Sequence, residues 1–358
     1  MRVVVAMSGG VDSAVAAAVL LRQGHDVMGV TLRLADLSAA GLGVSRCCAP
    51  SDIETARRVA WELAFPHQVL DLKAVFHERV LQPFLDSYLT GETPLPCARC
   101  NSAVKLGRLL ELAPGLGVEA VATGHYARLE PGADGGPVLL RGIDRNKDQS
   151  YFLFELTREQ LRAVMFPLGE MSKEEVRALA RELGLPNASR PESQEVCFVP
   201  EEGSYVDVLE RLVPGERLPG RGEVVDAGGR VLGEHAGFHR FTVGQRRGIG
   251  VAAPERLYVV GLDPAHNRVI VGRKEEALRG SLELRDVNWL APRPGAPIEA
   301  RVQIRSRHEP ACATVIPGPG GAARVDFAAP VLAPAPGQAA VFYNGDRLLG
   351  GGWIVATR

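Results

Sequence analysis

A β-branched run, "RVVVAM" (residues 2–7), breaks at "SGG" and passes at once into "VDSAVAAAVLLRQG", alanine- and leucine-rich and closed by Gly24. Branching at Cβ restricts χ1 in a helix but packs well on a pleated surface, so the first run favours a buried strand. Alanine and leucine favour a helix, and glycine after the last turn stops it. A strand turning directly into a helix is the first half of a β–α–β unit, and the same alternation continues downstream. "DVMGVTLRL" (26–34), "HQVLDL" (67–72) and "VEAVATGHYARL" (118–129) read as strands, the last ending in Gly124 and His125. "SDIETARRVAWELA" (51–64) reads as a helix opened by a capping box of Ser51 and Glu54. "SKEEVRALARELGLPN" (172–187) is an amphipathic helix with a serine cap and a Gly184/Pro186 stop. Alternation of this kind predicts a parallel sheet with helices on both faces.

Near residue 200 the texture changes. Helical periodicity becomes rare from "EEGSYVDVL" onward, and glycine, proline and valine dominate. "RGEVVDAGGRVLGEH" reads as a hairpin turning at Gly228–Gly229, and "RLYVVGLDPAHNRVIVG" as another turning through Asp263–Pro264. "PIEARVQIRSRHEPACATVI", "GAARVDFAAP" and "QAAVFYNGDRLLGGGWIV" supply short strands suited to a small β-barrel. The division expected is 1–200, 201–276 and 277–358.

With 46% hydrophobic and 23% charged residues, the chain has the balance of an ordinary soluble globular protein. No apolar run approaches the roughly 18 to 20 residues that cross a bilayer, and "MRVVVAMSGG" lacks the apolar region of a signal peptide. Six cysteines in 358 residues are too sparse for a disulfide scaffold, which favours the cytoplasm and reduced thiols. A formal net charge of −1 means that RNA binding would need its basic residues gathered on one face.

"SGGVDS" (Ser8–Ser13) lies between the first strand and its helix. Glycines let the backbone approach an anion, and a helix N-terminus offers unpaired N–H groups and a favourable dipole. The absence of G-K-[ST] excludes a Walker loop. Asp12, in the first turn, suits a Mg²⁺ ion that accompanies phosphate. The bland alternative is a plain glycine turn. "PLPCARCNSAV" (94–104) adds a C-x-x-C, Cys97 and Cys100, whose spacing alone leaves open half a zinc site, a redox dithiol, part of an iron–sulfur site, or a nucleophile with a bystander.

"SGGVDS" after a strand resembles the pyrophosphate loop of the PP-loop ATPases. The ordered strings "RCCAPSDIETARRVA", "TPLPCARCNSAVK", "ATGHYARL", "KDQSYFL", "ESQEVCFVP", "GFHRFTVGQRRGIG" and "VFYNGDRLLGGGWI" span nearly the whole chain. Together they resemble the tRNA-specific 2-thiouridylase (MnmA/TrmU) family. The resemblance implies an α/β chain: a PP-loop domain of the adenine nucleotide alpha hydrolase type, a small mostly-β central domain and a C-terminal β-barrel. It also implies ATP-dependent 2-thiolation of the wobble uridine, by adenylation of the C2 oxygen and transfer of a persulfide sulfur. On it, Ala6, Met7, Ser8, Gly9, Gly10, Val11, Asp12 and Ser13 bind ATP with Mg²⁺, and Leu32 and Gly124 line the adenosine pocket. His125, Lys147, Asp148, Gln149, Arg305, Ser306 and Gln338 fall at tRNA-contacting positions; where this chain has "RSRH" the family more often has Arg-Tyr. His125 also reads as a satisfied histidine at a strand end. The partners implied are tRNA and a sulfur donor, a cysteine desulfurase or sulfur carrier, with no membrane.

Cys100, followed by Asn101, matches the family's catalytic cysteine, and Cys197 the carrier of the persulfide, with a disulfide between them in the cycle. The nucleophile must be a thiolate, and Arg99 and Lys105 flank Cys100 to favour one. Cys47 and Cys48 are adjacent and receive no role. Cys312 reads as a small core residue of a barrel strand. Cys97 departs from the family, where Asp within N-P-D is common. It is a bystander, a spare sulfur, or a third ligand, with Cys100 and Cys197, for a 4Fe–4S cluster with one open iron.

Overall fold

The structure, a computed structural model, describes residues 1–42, 49–191, 196–200 and 202–358; the Cys47–Cys48 pair and the start of "ESQEVCFVP" lie outside the described residues. The chain forms two compact units. The first comprises Met1–Leu81, Pro96–Ser204 and Asp346–Leu348; the second comprises Gln82–Leu95, Tyr205–Gly345 and Leu349–Arg358.

In chain order the first unit begins with β1 (Arg2–Ala6), α1 (Val11–Arg22), β2 (Asp26–Arg33), α2 (Pro50–Glu62), β3 (His67–Asp71) and α3 (Lys73–Phe76). After α4 (Gln82–Leu89), which belongs to the second unit, come α5 (Pro96–Cys100), α6 (Leu106–Leu116), β4 (Ala120–Ala122) and a hairpin of β5 (Ala127–Pro131) and β6 (Pro137–Arg141). α7 (Arg158–Arg162), β7 (Val164–Met165) and α8 (Lys173–Glu182) follow. β1, β2, β3, β4 and β7 form one parallel sheet in the order β3-β2-β1-β4-β7. Its core joins Val3 and Val5 of β1 to Ala14, Val15, Ala17 and Leu20 of α1 and to Val176 and Ala180 of α8. Small alanines let α1 lie close to the sheet, and each fully buried valine or leucine contributes about 1.5–3 kcal/mol.

Two helix ends behave as the sequence predicts and one does not. Ser172 and Glu175 form the capping box of α8, and Gly24 takes φ +80° after α1. The expected box of Ser51 and Glu54 is absent. α2 begins one residue earlier, at Pro50 with Ala49 as its cap, because a proline's fixed φ suits the first helical position and needs no donor.

The second unit, after α4, continues with α9 (Tyr205–Leu212), a short helix inside the stretch where helical periodicity is rare; Val208 and Leu209 are buried. The two expected hairpins form, β8 (Gly222–Asp226) with β9 (Val231–His235) and β10 (Tyr258–Asp263) with β11 (Arg268–Gly272). A parallel pairing of β8 with β11 joins them into one sheet. The barrel consists of β12 (Leu278–Trp289), β13 (Ile298–Gln303), β14 (Ala311–Pro317), β15 (Ala323–Leu332), β16 (Ala339–Asn344) and β17 (Arg347–Thr357). Pairing of β12 with β17 closes it. Cys312 is not a core residue: it is exposed, because β14 turns Ala313 and Val315 inward and alternation puts their neighbours outside. Among the described residues no helix is long and apolar enough to cross a membrane.

Candidate functional site

β1 delivers the chain to Ser8, and two glycines then turn it into α1. Gly9 has φ +74°, and a Cβ there would stand 2.6 Å from the carbonyl oxygen of Asp52. Only glycine fits so close an approach in that conformation. Gly10 caps α1 without a side-chain hydrogen bond, so the N-terminal amides keep their capacity for an anion. Ser13 Oγ donates to the Gly10 carbonyl at 3.1 Å and accepts from the Ser8 amide at 3.2 Å, which fixes the turn from inside. From the end of β4, Gly124 closes on the same turn: a Cβ on it would lie 2.8 Å from Ser13 N.

Two cavities share this turn. One, of about 200 Å³, is lined by Ala6, Met7, Leu32, Thr123, Gly124 and His125, a slot of mixed polar and apolar lining of the size of a small planar ring system. The other, of about 370 Å³, takes in Ser8, Gly10, Asp12, Cys97, Cys100 and Cys197. Ser8, Asp12, Lys105 and Gln149 face both. The first cavity with the loop fits a nucleoside and its phosphates, because the glycines leave cradles that a side chain would fill.

Sequence reasoning placed Asp12 here but missed its partners. Lys173 Nζ donates to both carboxylate oxygens, and the Tyr126 hydroxyl donates to Oδ1 at 2.8 Å. Tyr126 is held in turn by a reciprocal pair with Gln149, backbone to side chain and backbone to backbone. Lys173 is the first residue of α8 and almost wholly buried. In the sequence its sign is a lysine, where the helix dipole disfavours one, beside the serine cap of a helix.

The C-x-x-C is helical. Cys97 and Cys100 lie one turn apart on α5, which runs through a π-helical turn, Asn101–Lys105, into α6. Such turns cost regular hydrogen bonding and recur at functional sites. This one is tied down: Asn101 Nδ2 donates to the Phe152 carbonyl, Ser102 Oγ to Glu155, and Arg99 pairs with Glu155 at 3.0 Å. Arg99 is therefore committed to Glu155, whereas Lys105 faces both cavities. Cys100 is buried, Cys97 and Cys197 half-buried. The Phe198 ring packs edge-on against Phe76 at 5.8 Å beside Cys197. Arg190 pairs with buried Asp52, and Asn187 donates to the Gly9 carbonyl. Among the described residues no group of three or more His, Cys, Asp or Glu is arranged to hold a metal ion.

The expected tRNA contacts divide. Lys147 and Gln149 line the larger cavity; Asp148 is not among its lining residues and accepts from the Gly142 and Ser150 amides and the Ser150 hydroxyl. His125 Nδ1 lies 2.7 Å from Thr123 Oγ1, and burial, with Lys105 nearby, pushes its imidazole down to about 3. In the second unit Arg305 and Ser306 are exposed on the turn after β13, their carbonyls bonded by the Gln303 amide. Gln338 donates its amide to the Thr93 and Pro94 carbonyls.

Family models match in three segments: a tRNA methyl transferase HUP domain over residues 1–201, a tRNA methyl transferase PRC-barrel domain over 207–273 and an aminomethyltransferase β-barrel domain over 279–354. The chain is 50% identical over 352 residues to "tRNA-specific 2-thiouridylase MnmA" of Syntrophotalea carbinolica, covering 98% of each chain. It is 50% identical to the protein of the same name from Geobacter metallireducens, covering 99% of this chain and 97% of that one. The Rhodospirillum centenum protein so named is also 50% identical, over 99% of this chain and 91% of its own length.

Proposed function

This chain belongs to the tRNA-specific 2-thiouridylase family, and we propose that it thiolates the wobble uridine of tRNA at C2 at the expense of ATP. The observation that carries the reading is that one cavity holds a phosphate-type turn together with Cys97, Cys100 and Cys197. Activation and sulfur delivery then take place side by side. The enzyme is a tRNA-uridine 2-sulfurtransferase; its cytoplasmic setting, where thiols stay reduced, and domain bounds near residues 200 and 276 are part of the proposal.

The chemistry follows from the electrophile. A uridine carbonyl is a poor one, so its oxygen first attacks the α-phosphorus of ATP and releases pyrophosphate, leaving an O-adenylated ring. Residues 6–13 hold the phosphates through backbone amides, Leu32 and Gly124 border the adenosine, and Lys173 supplies positive charge. Asp12 is the carboxylate available for Mg²⁺, which screens the phosphates when bound. The terminal sulfur of a Cys197 persulfide then adds at C2, and AMP leaves. Cys100 attacks Cys197 Sγ and breaks its sulfur–sulfur bond, so the sulfur stays on the ring and a Cys100–Cys197 disulfide remains. An external thiol reductant restores both cysteines, and a sulfur-donor protein recharges Cys197. His125, Lys147, Asp148 and Gln149 of the first unit, and separately Arg305, Ser306 and Gln338 of the second, are the residues proposed to contact tRNA.

Two measurements test this reading: tRNA-dependent ATP–pyrophosphate exchange, and mass spectrometry of 2-thiouridine in tRNA after incubation with ATP, a persulfide-donating cysteine desulfurase with free cysteine, and a thiol reductant. Exchange without thiouridine in the parent protein would refute the sulfur half; neither activity would refute the whole.

A further inference from the structure

We propose that Tyr126 is a positioning residue for the activation step: it sets where the Lys173 ammonium stands in the reaction cavity, by fixing the Asp12 carboxylate and by covering the ammonium with its ring. The inference rests on the reading of the loop as an ATP site and of Lys173 as a charge that meets the phosphates. A lysine and a carboxylate joined head to head can pivot about each other, because an ammonium is a compact charge with three rotatable donors on a flexible stem. A third group removes that freedom here. Asp12 Oδ1 accepts from Lys173 Nζ at 2.6 Å and from the Tyr126 hydroxyl at 2.8 Å, while Oδ2 accepts from Lys173 at 2.9 Å. Two donors on Oδ1 fix the plane of the carboxylate, and that plane fixes the ammonium. The Tyr126 ring centroid lies 5.6 Å from the same Nζ, within cation–π reach.

Tyr126 can act in this way because it is itself held. It is 2% exposed, between β4 and β5. Its amide donates to Gln149 Oε1 at 3.1 Å, and its carbonyl accepts from the Gln149 amide at 2.9 Å. Residue 142 closes over that carbonyl: a Cβ on Gly142 would lie 2.9 Å from it. Lys173 is fastened at its other end, where its amide donates to Asp144 Oδ2 at 3.0 Å. The lysine needs such support. It is 7% exposed and first in α8, where the helix dipole disfavours a cation, and its long stem has many rotamers to lose. Asp12 balances the charge, but does not by itself choose its place. Place matters, because Asp12 faces both cavities, whereas Tyr126 and Lys173 line the one that also holds Cys100 and Cys197. A charge already aimed at the phosphates needs no reorganisation when the uridine oxygen attacks, and that is how fixed electrostatics lowers a barrier. Tyr126→Phe removes the hydroxyl and keeps the ring. The Asp12 side chain is 31% exposed, so water replaces the lost bond and no buried oxygen is orphaned.

The experiment is a double-mutant cycle in tRNA-dependent ATP–pyrophosphate exchange. The parent, Tyr126→Phe, Lys173→Met and the double variant Tyr126→Phe/Lys173→Met are compared in kcat and in KM for ATP at saturating tRNA, with urea melts alongside. Tyr126→Phe is expected to lower kcat about tenfold and to leave KM within about twofold of the parent, the signature of an interaction that counts in the transition state. In the Lys173→Met background the same substitution should cost less than about twofold, because no ammonium is left to place. General packing would instead cost the same in both backgrounds. Gln149→Ala, which unfastens Tyr126 without altering it, carries the same cycle if Tyr126→Phe does not fold. Equal losses in the two backgrounds, a loss carried by KM, or no loss in Tyr126→Phe overturns the positioning role alone. Exchange at the parental rate in Lys173→Met, or a parent without exchange, overturns the reading beneath it.

Discussion

Lys173 Nζ stands 2.6 and 2.9 Å from the two carboxylate oxygens of Asp12, a residue 161 positions earlier in the chain. Both belong to first turns of helices, but their electrostatics differ. Asp12 at the N-terminus of α1 is favoured by the helix dipole, whereas a lysine at the N-terminus of α8 is disfavoured by it. A cation held against that field and out of solvent makes sense where a strong anion arrives. On the proposed reading of the loop, the ion pair would be the resting state of a phosphate site, with Asp12 keeping Lys173 in place.

Removal of either partner should stop activation. Lys173→Met and Asp12→Ala are each expected to lower tRNA-dependent ATP–pyrophosphate exchange by about a hundredfold, the scale for one electrostatic contact to a developing charge. Filter binding should find tRNA affinity unchanged. Exchange at the parental rate in Asp12→Ala would mean that the loop is not the phosphate site.

The parts of this site legible in the sequence are those coded locally. β1, the glycine turn and α1 follow from the run "VVV", two glycines and four alanines whose propensities agree with their place in the fold. The partners of Asp12 are not coded that way. Tyr126 and Lys173 reach it only because β4 lies beside β1 in the sheet and α8 packs against α1, facts that no periodicity records. Cys312 shows a different limit: β14 is a strand as expected, but a small apolar residue fits either face, and only the register of its neighbours decides which. The missed start of α2 is a competition between two valid cap signals, won by Pro50.

Glycine at position 9 is a steric demand that stability can measure. Gly9→Ala meets both a positive φ and a carbonyl at 2.6 Å, whereas Gly24→Ala meets a positive φ with no atom within 4 Å. Urea melts should place Gly24→Ala about 1 kcal/mol below the parent. Gly9→Ala should fall further and lose exchange as well. Equal losses in the two variants would mean that Asp52 does not close over the loop.

Acid should destabilise the first unit through His125. Its imidazole is pushed down to about 3 in the fold by burial, with Lys105 adding to the effect, against an ordinary value of 6.5. Between those values the unfolded chain binds a proton that the folded one does not, so stability rises with pH there and is lost as pH falls through about 6.5 toward 3. His125→Gln should flatten the pH dependence of the melting midpoint in that window. An unaltered slope would mean that His125 titrates normally in the fold.

Binding of tRNA should be salt-sensitive despite a net charge of −1. Arg305 and Arg307 are exposed on the turn after β13, and Lys147 faces the larger cavity. Each phosphate contact removed should reduce the slope of log affinity against log salt by about 0.7–0.9. Fluorescence anisotropy with Arg305→Ala and Arg307→Ala measures this, and an affinity flat from low to moderate salt would count against RNA.

Cys97 separates two routes for the sulfur. In a relay, two cysteines balance the electrons: Cys197 brings the sulfur and Cys100 releases it, so a third contributes nothing to the count. In a cluster route, Cys97, Cys100 and Cys197 would together hold a 4Fe–4S centre, and two thiolates hold one poorly. Cys97 and Cys100 share one face of α5, one turn apart, but among the described residues they and Cys197 are not arranged as a group that could hold a metal ion. The relay is the route we expect, because Cys100 and Cys197 suffice for it. Cys97→Ala, prepared anaerobically with iron and a sulfur source, should then match the parent in thiolation whatever its iron content, while Cys100→Ala and Cys197→Ala keep exchange and lose thiolation. Joint loss of iron and thiolation in Cys97→Ala would reverse the assignment and make Cys97 a ligand.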